Sequence, residues 1–309
     1  LIRHLKHKEI NKQEWDVCVM HSAQPMVYAY SWYLDIVSSG WEALVAGDYE
    51  AVFPLIRNRK FGIKYLHQPF FTQQLGMFSR SKDLKLDVED FLRTLPPKYW
   101  YVDICLNEAN YPDLRSFNYQ ALPTYHLDLS SPYNQIYDGY SLKCRQSIRQ
   151  FVENNVTENF AFAENVDPSV LIHMFREYLG SGLTDLKTGH YQVLETLMLE
   201  CLEMNLGEIW LLHASNGMPM AGVFFLDSPG RKIYHFAASS KLGRSNNAMF
   251  YLLDIFINKH QGQKLILDFE GSAIESIAHF YKGFGARRVL YPSVRMNKLP
   301  KMIRWLKPE

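Results

Sequence analysis

Residues 266–289, ILDFEGSAIESIAHFYKGFGARRV, constrain this chain more than any other stretch. The apolar run from Ile266 leads to Asp268-Phe269-Glu270-Gly271, which reads as a buried strand and its end. Ser272-Ala273-Ile274-Glu275 has capping-box spacing, an N-cap oxygen with a Glu three residues later. Ile274, Ile277, Ala278 and Tyr281 recur at i, i+3, i+4 and i+7, one apolar face of a helix. Gly283 or Gly285 can end that helix in the left-handed conformation, and a second strand follows at Val289. Strand, helix, strand is the unit of an α/β sheet. Asp268 and Glu270 stand at the carboxyl end of its first strand, where such sheets bind ligands and move protons.

The rest of the chain reads as two assemblies of this kind. Its 309 residues fit two domains of roughly 150 residues each, and a 47% hydrophobic content supplies two cores. Strands are predicted at 41–47, 50–57, 63–70, 99–106 and 121–129, with helices at 25–39 and 84–95. A second set follows: helices at 131–154, 168–178, 190–205 and 245–260, with strands at 157–164, 207–214, 218–227, 231–240 and 264–269. Asn216-Gly217 is the strongest hairpin signal, with both positions expected at positive φ. Each half runs strand, turn, strand, basic loop, strand. The loops are Arg57–Lys60 and Arg231-Lys232, and the two runs are offset by roughly 169 positions. The expected fold is α/β with mixed sheets in two tandem modules, residues 1–129 and 130–309, the active cleft lying in the second.

Composition narrows the function. A net charge of +1 argues against a DNA-binding protein but is compatible with one local phosphate site. Cys18, Cys105, Cys144 and Cys201 are isolated, the pattern of buried free thiols in a reducing compartment. The sequence shows no signal-peptide pattern and no apolar run of membrane-spanning length, so a cytoplasmic location is expected. It holds no clustered metal ligands, no G-x-S-x-G elbow and no Walker loop, so hydrolase and nucleoside-triphosphatase chemistry fit poorly.

The loop SSKLGRSNNAM, 239–249, joins a strand to a helix. Ser245, Asn246 and Asn247 are cap-forming residues before the apolar face of Ala248, Met249, Leu252, Leu253 and Phe256. Free N–H groups and the positive dipole end make such a junction suited to phosphate. Lys143, Arg145 and Arg149 form a basic helix face that suits phosphates of a nucleotide or tRNA. Trp32, Tyr33, Gln73 and Gln74 are polar and aromatic enough to line a substrate cleft.

The order strand, Asn-Gly hairpin, strand, strand, loop-helix, strand, helix, strand resembles the GCN5-related N-acetyltransferase fold. Ser240-x-x-Gly243-x-Ser245 resembles its phosphate loop, Gln/Arg-x-x-Gly-x-Gly/Ala, through the central Gly. Ala278-x-Phe280-Tyr281-x-x-x-Gly285 resembles its late helix motif, Ala-x-x-Tyr-x-x-x-Gly-Phe, with Ala286 in place of the last Phe. The doubled module, with Asp268-Phe269-Glu270-Gly271-Ser272 before Phe280-x-x-x-Phe284-Gly285, resembles the narrower FemABX group. Those enzymes transfer an aminoacyl group from aminoacyl-tRNA to an amine on a cell-wall precursor. Their late helix often reads Phe-Lys-x-x-Phe-Gly; that Lys falls on Tyr281, and this chain's Lys stands one place later, at Lys282.

The resemblance implies an N-acyltransferase acting on an amine, with acyl-CoA or aminoacyl-tRNA as co-substrate and no tightly bound cofactor. It implies donor contacts at Ser240, Lys241, Gly243, Arg244, Ser245, Asn246 and Asn247. Asp268 or Glu270 would accept the amine proton, Tyr281 would protonate the leaving group, and Lys282 would stabilise negative charge. The alternatives are an ordinary acetyl-CoA-dependent acetyltransferase and a degenerate module that binds a ligand without catalysis.

Overall fold

Alternating apolar residues and glycine-punctuated turns lay down the strands of both halves. The computed structural model describes residues 1–81, 85–154, 160–178, 186–271 and 274–300, with Arg304. The chain divides into two compact units, Leu1–Pro123 with Val289–Glu309, and Thr124–Arg288. This differs from the expected division at 129–130 at both ends. Tyr125 and Leu127 pack into the second unit's core, and residues 126–128 pair with its strand at 266–268. The last strand pairs with residues 101–105 of the first unit.

The first unit contains β1 (Ile2–Leu5), α1 (Lys12–Met20), α2 (Ser31–Val37), β2 (Glu42–Ala46), β3 (Ala51–Leu55), β4 (Arg57–Lys60), β5 (Ile63–His67), β6 (Phe78–Ser79), α3 (Val88–Arg93) and β7 (Tyr99–Cys105). One sheet has the order β1-β2-β3-β6 and is antiparallel. The other begins β4-β5-β7, with β5 and β7 parallel. The basic loop expected at 57–60 is therefore a strand, paired along its length with β5. The helix expected over 25–39 is interrupted, because Tyr30 is extended and the Ser31 N–H bonds the Asp16 carboxylate instead, at 2.7 Å. The helix expected over 84–95 is capped by Asp87 and starts at Val88; residue 84 lies outside the described residues.

The second unit contains most of β8 (Tyr119–Asp128), α4 (Tyr133–Asp138), α5 (Leu142–Asn154), β9 (Ala161–Glu164), α6 (Pro168–Tyr178), α7 (Thr188–Glu203), β10 (Gly207–His213), β11 (Pro219–Ser228), β12 (Arg231–Ser239), α8 (Lys241–Ser245), α9 (Ala248–His260), β13 (Ile266–Asp268) and α10 (Glu275–Gly283). The closing strand, β14 (Arg287–Asn297), carries the chain back to the first unit. The sheet order is β8-β13-β12-β11-β10-β9, antiparallel except for β12 and β13. Residues 157–159 of the predicted strand 157–164 lie outside the described residues, as does Ser272, the predicted cap of α10. Ile274 occupies the N-cap position, and Gly285 follows α10 with φ +80°, the left-handed ending the sequence predicts.

At the Asn216-Gly217 hairpin the positive φ belongs to Gly217 and not to Asn216. The Asn216 side chain instead accepts the Met218 N–H at 3.0 Å, an Asx turn that keeps Asn216 out of the left-handed region. The two-residue turn with positive φ at both positions is Phe61-Gly62, between β4 and β5.

Aromatic packing fixes α9 on the sheet. Phe256 stacks on Phe225 with centroids 3.6 Å apart, and Trp210 meets both rings edge-on. Burying each such ring contributes about 1.5–3 kcal/mol. All four cysteines are free, and burial pushes Cys18 and Cys105 up to about 11 and Cys144 and Cys201 to about 12. They are neutral thiols at physiological pH, unsuited to nucleophilic attack. Among the described residues no helix is long and apolar enough to cross a membrane, and no His/Cys/Asp/Glu group has metal-holding geometry.

α8 packs against β11 through Gly243. A Cβ at that position would sit 1.8 Å from the Met220 carbonyl oxygen, a backbone atom that cannot swing aside. Gly243→Ala should therefore lower unfolding stability by about 1–3 kcal/mol, measured by urea denaturation, and an unchanged midpoint would contradict this packing.

Candidate active site

The site begins where two parallel strands part. β12 and β13 share three rungs, Arg231↔Ile266, Lys232↔Leu267 and Ile233↔Asp268, and there β13 ends. β12 continues to Ser239. Its register against β11 slips between Phe225↔Tyr234 and Phe224↔Phe236, leaving His235 as the extra residue of a bulge. A bulge re-aims a side chain, and the carboxyl end of a parallel pair is where an α/β sheet opens to ligands. Beyond β13 the Phe269 N–H returns to the Tyr125 carbonyl at 2.9 Å. Glu270 then takes a left-handed conformation, φ +56°, and its N–H bonds Asp268 Oδ1 at 2.9 Å. For a non-glycine residue this conformation costs on the order of 1 kcal/mol.

The two acids of this turn have separate fates. Asp268 is buried, with Oδ1 accepting from Thr124 Oγ1 at 2.8 Å and Oδ2 lying 3.2 Å from both Arg231 NH1 and His126 Nε2. Burial pushes its carboxyl up, but His126, then Arg231 and Thr124, outweigh this and hold it below the usual carboxylate range. It is a buried anion with both carboxylate oxygens engaged by protein partners. Glu270 is half-buried, and its Oε1 lies 3.2 Å from His235 Nδ1.

Tyr281 comes from the buried face of α10. Its ring stacks on Phe269 at 4.9 Å and meets Tyr125 and Tyr234 at 5.8 and 6.0 Å. Burial, then the charges of Glu270 and Asp268, push its phenol well above the ordinary tyrosine range. The hydroxyl therefore keeps its proton at neutral pH. Lys282, the next residue, is exposed, with Nζ 5.8 Å from the Tyr125 ring centre.

At the end of β12 the Ser240 side chain caps α8 by accepting the Gly243 N–H at 3.0 Å. The predicted caps lie elsewhere: Ser245 and Asn246 donate to the Leu242 carbonyl, and Asn247 donates to Gln150. The helix predicted from Ser245 begins at Ala248 as α9 and is preceded by the short α8, with Asn247 left-handed, φ +61°, between them. Lys241 and Arg244 are exposed, and the Arg244 guanidinium donates to the Ser239 carbonyl at 2.7 Å.

The structure thus gathers Asp268, Glu270 and Tyr281, with Lys282 beside them on α10 and the 240–247 segment following β12. The remaining predicted contacts are distributed otherwise. Arg145 lies over the Tyr137 ring at 6.0 Å. In the first unit Tyr33 is buried and donates its hydroxyl to the Phe71 carbonyl. Gln74 is also buried, accepting the Glu108 N–H and donating to Gln73. Trp32 and Gln73 are half-buried. Sequence reasoning missed His235, His126, Arg231 and Thr124. The one local signal was the basic pair Arg231-Lys232, at the start of the predicted strand 231–240 that forms β12.

No protein-family model and no curated protein matches the sequence. Solved structures match its fold. FemX aligns over 98% of this chain and 100% of its own, at 12% identity and TM-score 0.67. A conserved protein of unknown function from Bacteroides thetaiotaomicron VPI-5482 aligns over 92% and 96%, at 14% identity and TM-score 0.59. L-PGS from Bacillus licheniformis aligns over 94% and 93%, at 11% identity and TM-score 0.56.

The Asp268 cluster carries a pH signature. A depressed carboxyl contributes stability that is present above its unfolded-state value, about 3.9, and is lost as pH falls through the lower folded value. Asp268→Asn should flatten the acid limb of the stability curve. Asp268→Ala should cost about 3–5 kcal/mol by stranding the buried Arg231 guanidinium. Urea midpoints measured from neutral pH downward check both, and parallel acid limbs for wild type and Asp268→Asn would contradict the assignment. The likeness to FemX along nearly the whole chain, with the mixed sheet of the second unit, shows a FemX-like fold, the fold the sequence resemblance implies.

Proposed function

We propose that this chain is an N-acyltransferase that moves an acyl or aminoacyl group from an activated donor to an amine. One observation carries the reading: Tyr281, held protonated by burial, stands with Glu270 at the open end of the β12–β13 pair. Acyl transfer needs an acceptor for the amine proton and a donor for the leaving group. The amine nitrogen attacks the carbonyl carbon and forms the C–N bond. Glu270, backed by His235, accepts the nitrogen's proton. The tetrahedral intermediate then collapses, the bond to sulfur or ester oxygen breaks, and the Tyr281 hydroxyl protonates the departing atom. Solvent exchange returns a proton to Tyr281 and removes one from Glu270. No protein nucleophile is required, which agrees with four unreactive thiols.

The donor's phosphates are assigned to the segment 240–247, with Lys241 and Arg244 exposed for them and Lys282 supplying further positive charge. Acyl-CoA and aminoacyl-tRNA both carry such phosphates. The FemABX resemblance favours the aminoacyl ester, and with it an amine on a cell-envelope (peptidoglycan) precursor and a cytoplasmic site of action. Arg145, in the same unit, is retained as an acceptor-binding candidate.

The test supplies the purified chain with labelled acetyl-CoA or an aminoacylated RNA minihelix, each with a panel of amines. With whichever donor is used, Tyr281→Phe should lower kcat by about 10²–10⁴-fold with little change in KM. The Phe269 stacking is kept in this variant, so its thermal midpoint should stay near wild type. An unchanged kcat would remove Tyr281 as the acid.

A further inference from the structure

Two local penalties coincide at the turn between β4 and β5. Phe61 and Gly62 have φ +50° and +80°, so both central residues of this two-residue hairpin loop are left-handed. Asn-Gly is the pair that suits such a turn, and a Phe in the first position is strained. The Phe61 side chain is also 91% exposed. The described contact to its ring is the ammonium of Lys60, 5.6 Å from the centroid. Asparagine would serve the fold better on both counts, so the phenyl ring is kept for something outside it.

The strands behind the tip present cations. Arg57 and Arg59 alternate onto one face of β4, and Lys64 of β5 pairs directly opposite Arg59. Like charges in that position repel. Among the described residues Arg57, Arg59, Lys60 and Lys64 have no carboxylate within ion-pairing distance. Arg57, Arg59, Lys64 and Lys98 line a polar cleft of about 490 Å³. The acid on its wall, Glu42, is already engaged: its Oε2 accepts from Lys98 Nζ at 2.7 Å and the Tyr99 hydroxyl at 2.8 Å, and lies 2.6 Å from His4 Nε2. Burial pushes that carboxyl up, but these three partners bring it down to about 2, so it stays an anion matched to Lys98. Arg57, Arg59 and Lys64 remain uncompensated.

An apolar ring at the tip with cations behind it fits a surface that is apolar inside and phosphate-lined outside. At about 3.4 Å per residue, Arg59 and Lys64 lie roughly 5–10 Å behind the tip, the depth between acyl chains and headgroup phosphates. A soluble phosphate compound would account for the cleft but not for Phe61. A single-stranded nucleic acid would use successive aromatic platforms along the basic track, and the tip offers one ring.

We propose that the β4–β5 hairpin docks this protein on anionic phospholipid bilayers, with Phe61 entering the headgroup–acyl boundary and Arg57, Arg59, Lys60 and Lys64 holding lipid phosphates. The inference is independent of the acyltransferase reading.

The experiment is flotation of the full chain with vesicles of phosphatidylcholine alone and of phosphatidylcholine mixed with phosphatidylglycerol. Binding is expected to the mixed vesicles alone and should be released by salt. Arg59→Glu with Lys64→Glu should reduce the bound fraction by about tenfold or more. Phe61→Asn should reduce it severalfold while the thermal midpoint holds or rises, because Asn-Gly suits the turn. Phe61→Trp should retain binding. Three results would overturn the proposal. The first is no preference for anionic vesicles, and the second is equal binding by wild type and Phe61→Asn. The third is lipid-independent binding of an RNA oligonucleotide or of glycerol phosphate that the charge reversal abolishes without any vesicle binding.

Discussion

A buried carboxylate organises the second unit. Asp268 ends β13, and its oxygens reach Thr124 and His126 on β8 and Arg231 on β12. Three strands, β13 with β12 parallel to it and β8 antiparallel, are tied at the point where the parallel ladder stops. Buried ion clusters gain little net stability over apolar packing, yet removing one member is costly. Here the cluster fixes where β13 must turn away, and the turn positions Glu270, the continuing β12 and the approach of α10.

From that constraint the chemistry divides between two acids two residues apart. Asp268 is engaged by the buried Arg231 guanidinium and by the Thr124 hydroxyl and Glu270 N–H. Glu270, carried outward by a left-handed backbone and bonded to the bulged His235, keeps a half-buried carboxylate. Tyr281 feels both charges, and burial and repulsion act in the same direction to keep its hydroxyl protonated. A half-buried carboxylate and a protonated phenol thus lie at the mouth of an opened parallel pair, while the glycine at 243 brings a capped, cation-bearing turn down onto β11.

Much of this was legible locally. The apolar spacing of Ile277, Ala278 and Tyr281, the left-handed Gly285 and the order of strands in the second unit follow from periodicity and turn chemistry within short windows, whereas Ile274, expected on the same buried face, is an exposed N-cap residue. What was not legible depends on partners distant in sequence. Asp268 and Glu270 look equivalent until Thr124, 144 positions earlier, and Arg231, 37 earlier, are folded against one of them. The bulge at His235 is a property of register between two strands, so no single strand announces it. Arg57–Lys60 looks like a loop because four polar residues carry no apolar alternation, and it is a strand because β5 supplies backbone partners. The last strand belongs with the first unit for the same reason: its partner is β7.

The central claim is that the donor is held where β12 and β13 part. Amide hydrogen exchange of the full chain, with and without acetyl-CoA and an aminoacylated RNA minihelix, tests it most directly. The account predicts that the productive donor slows exchange across 234–247 and around 269–284 and leaves the hairpin at 57–64 unchanged. Protection confined to other strands, or none from either donor, would contradict it.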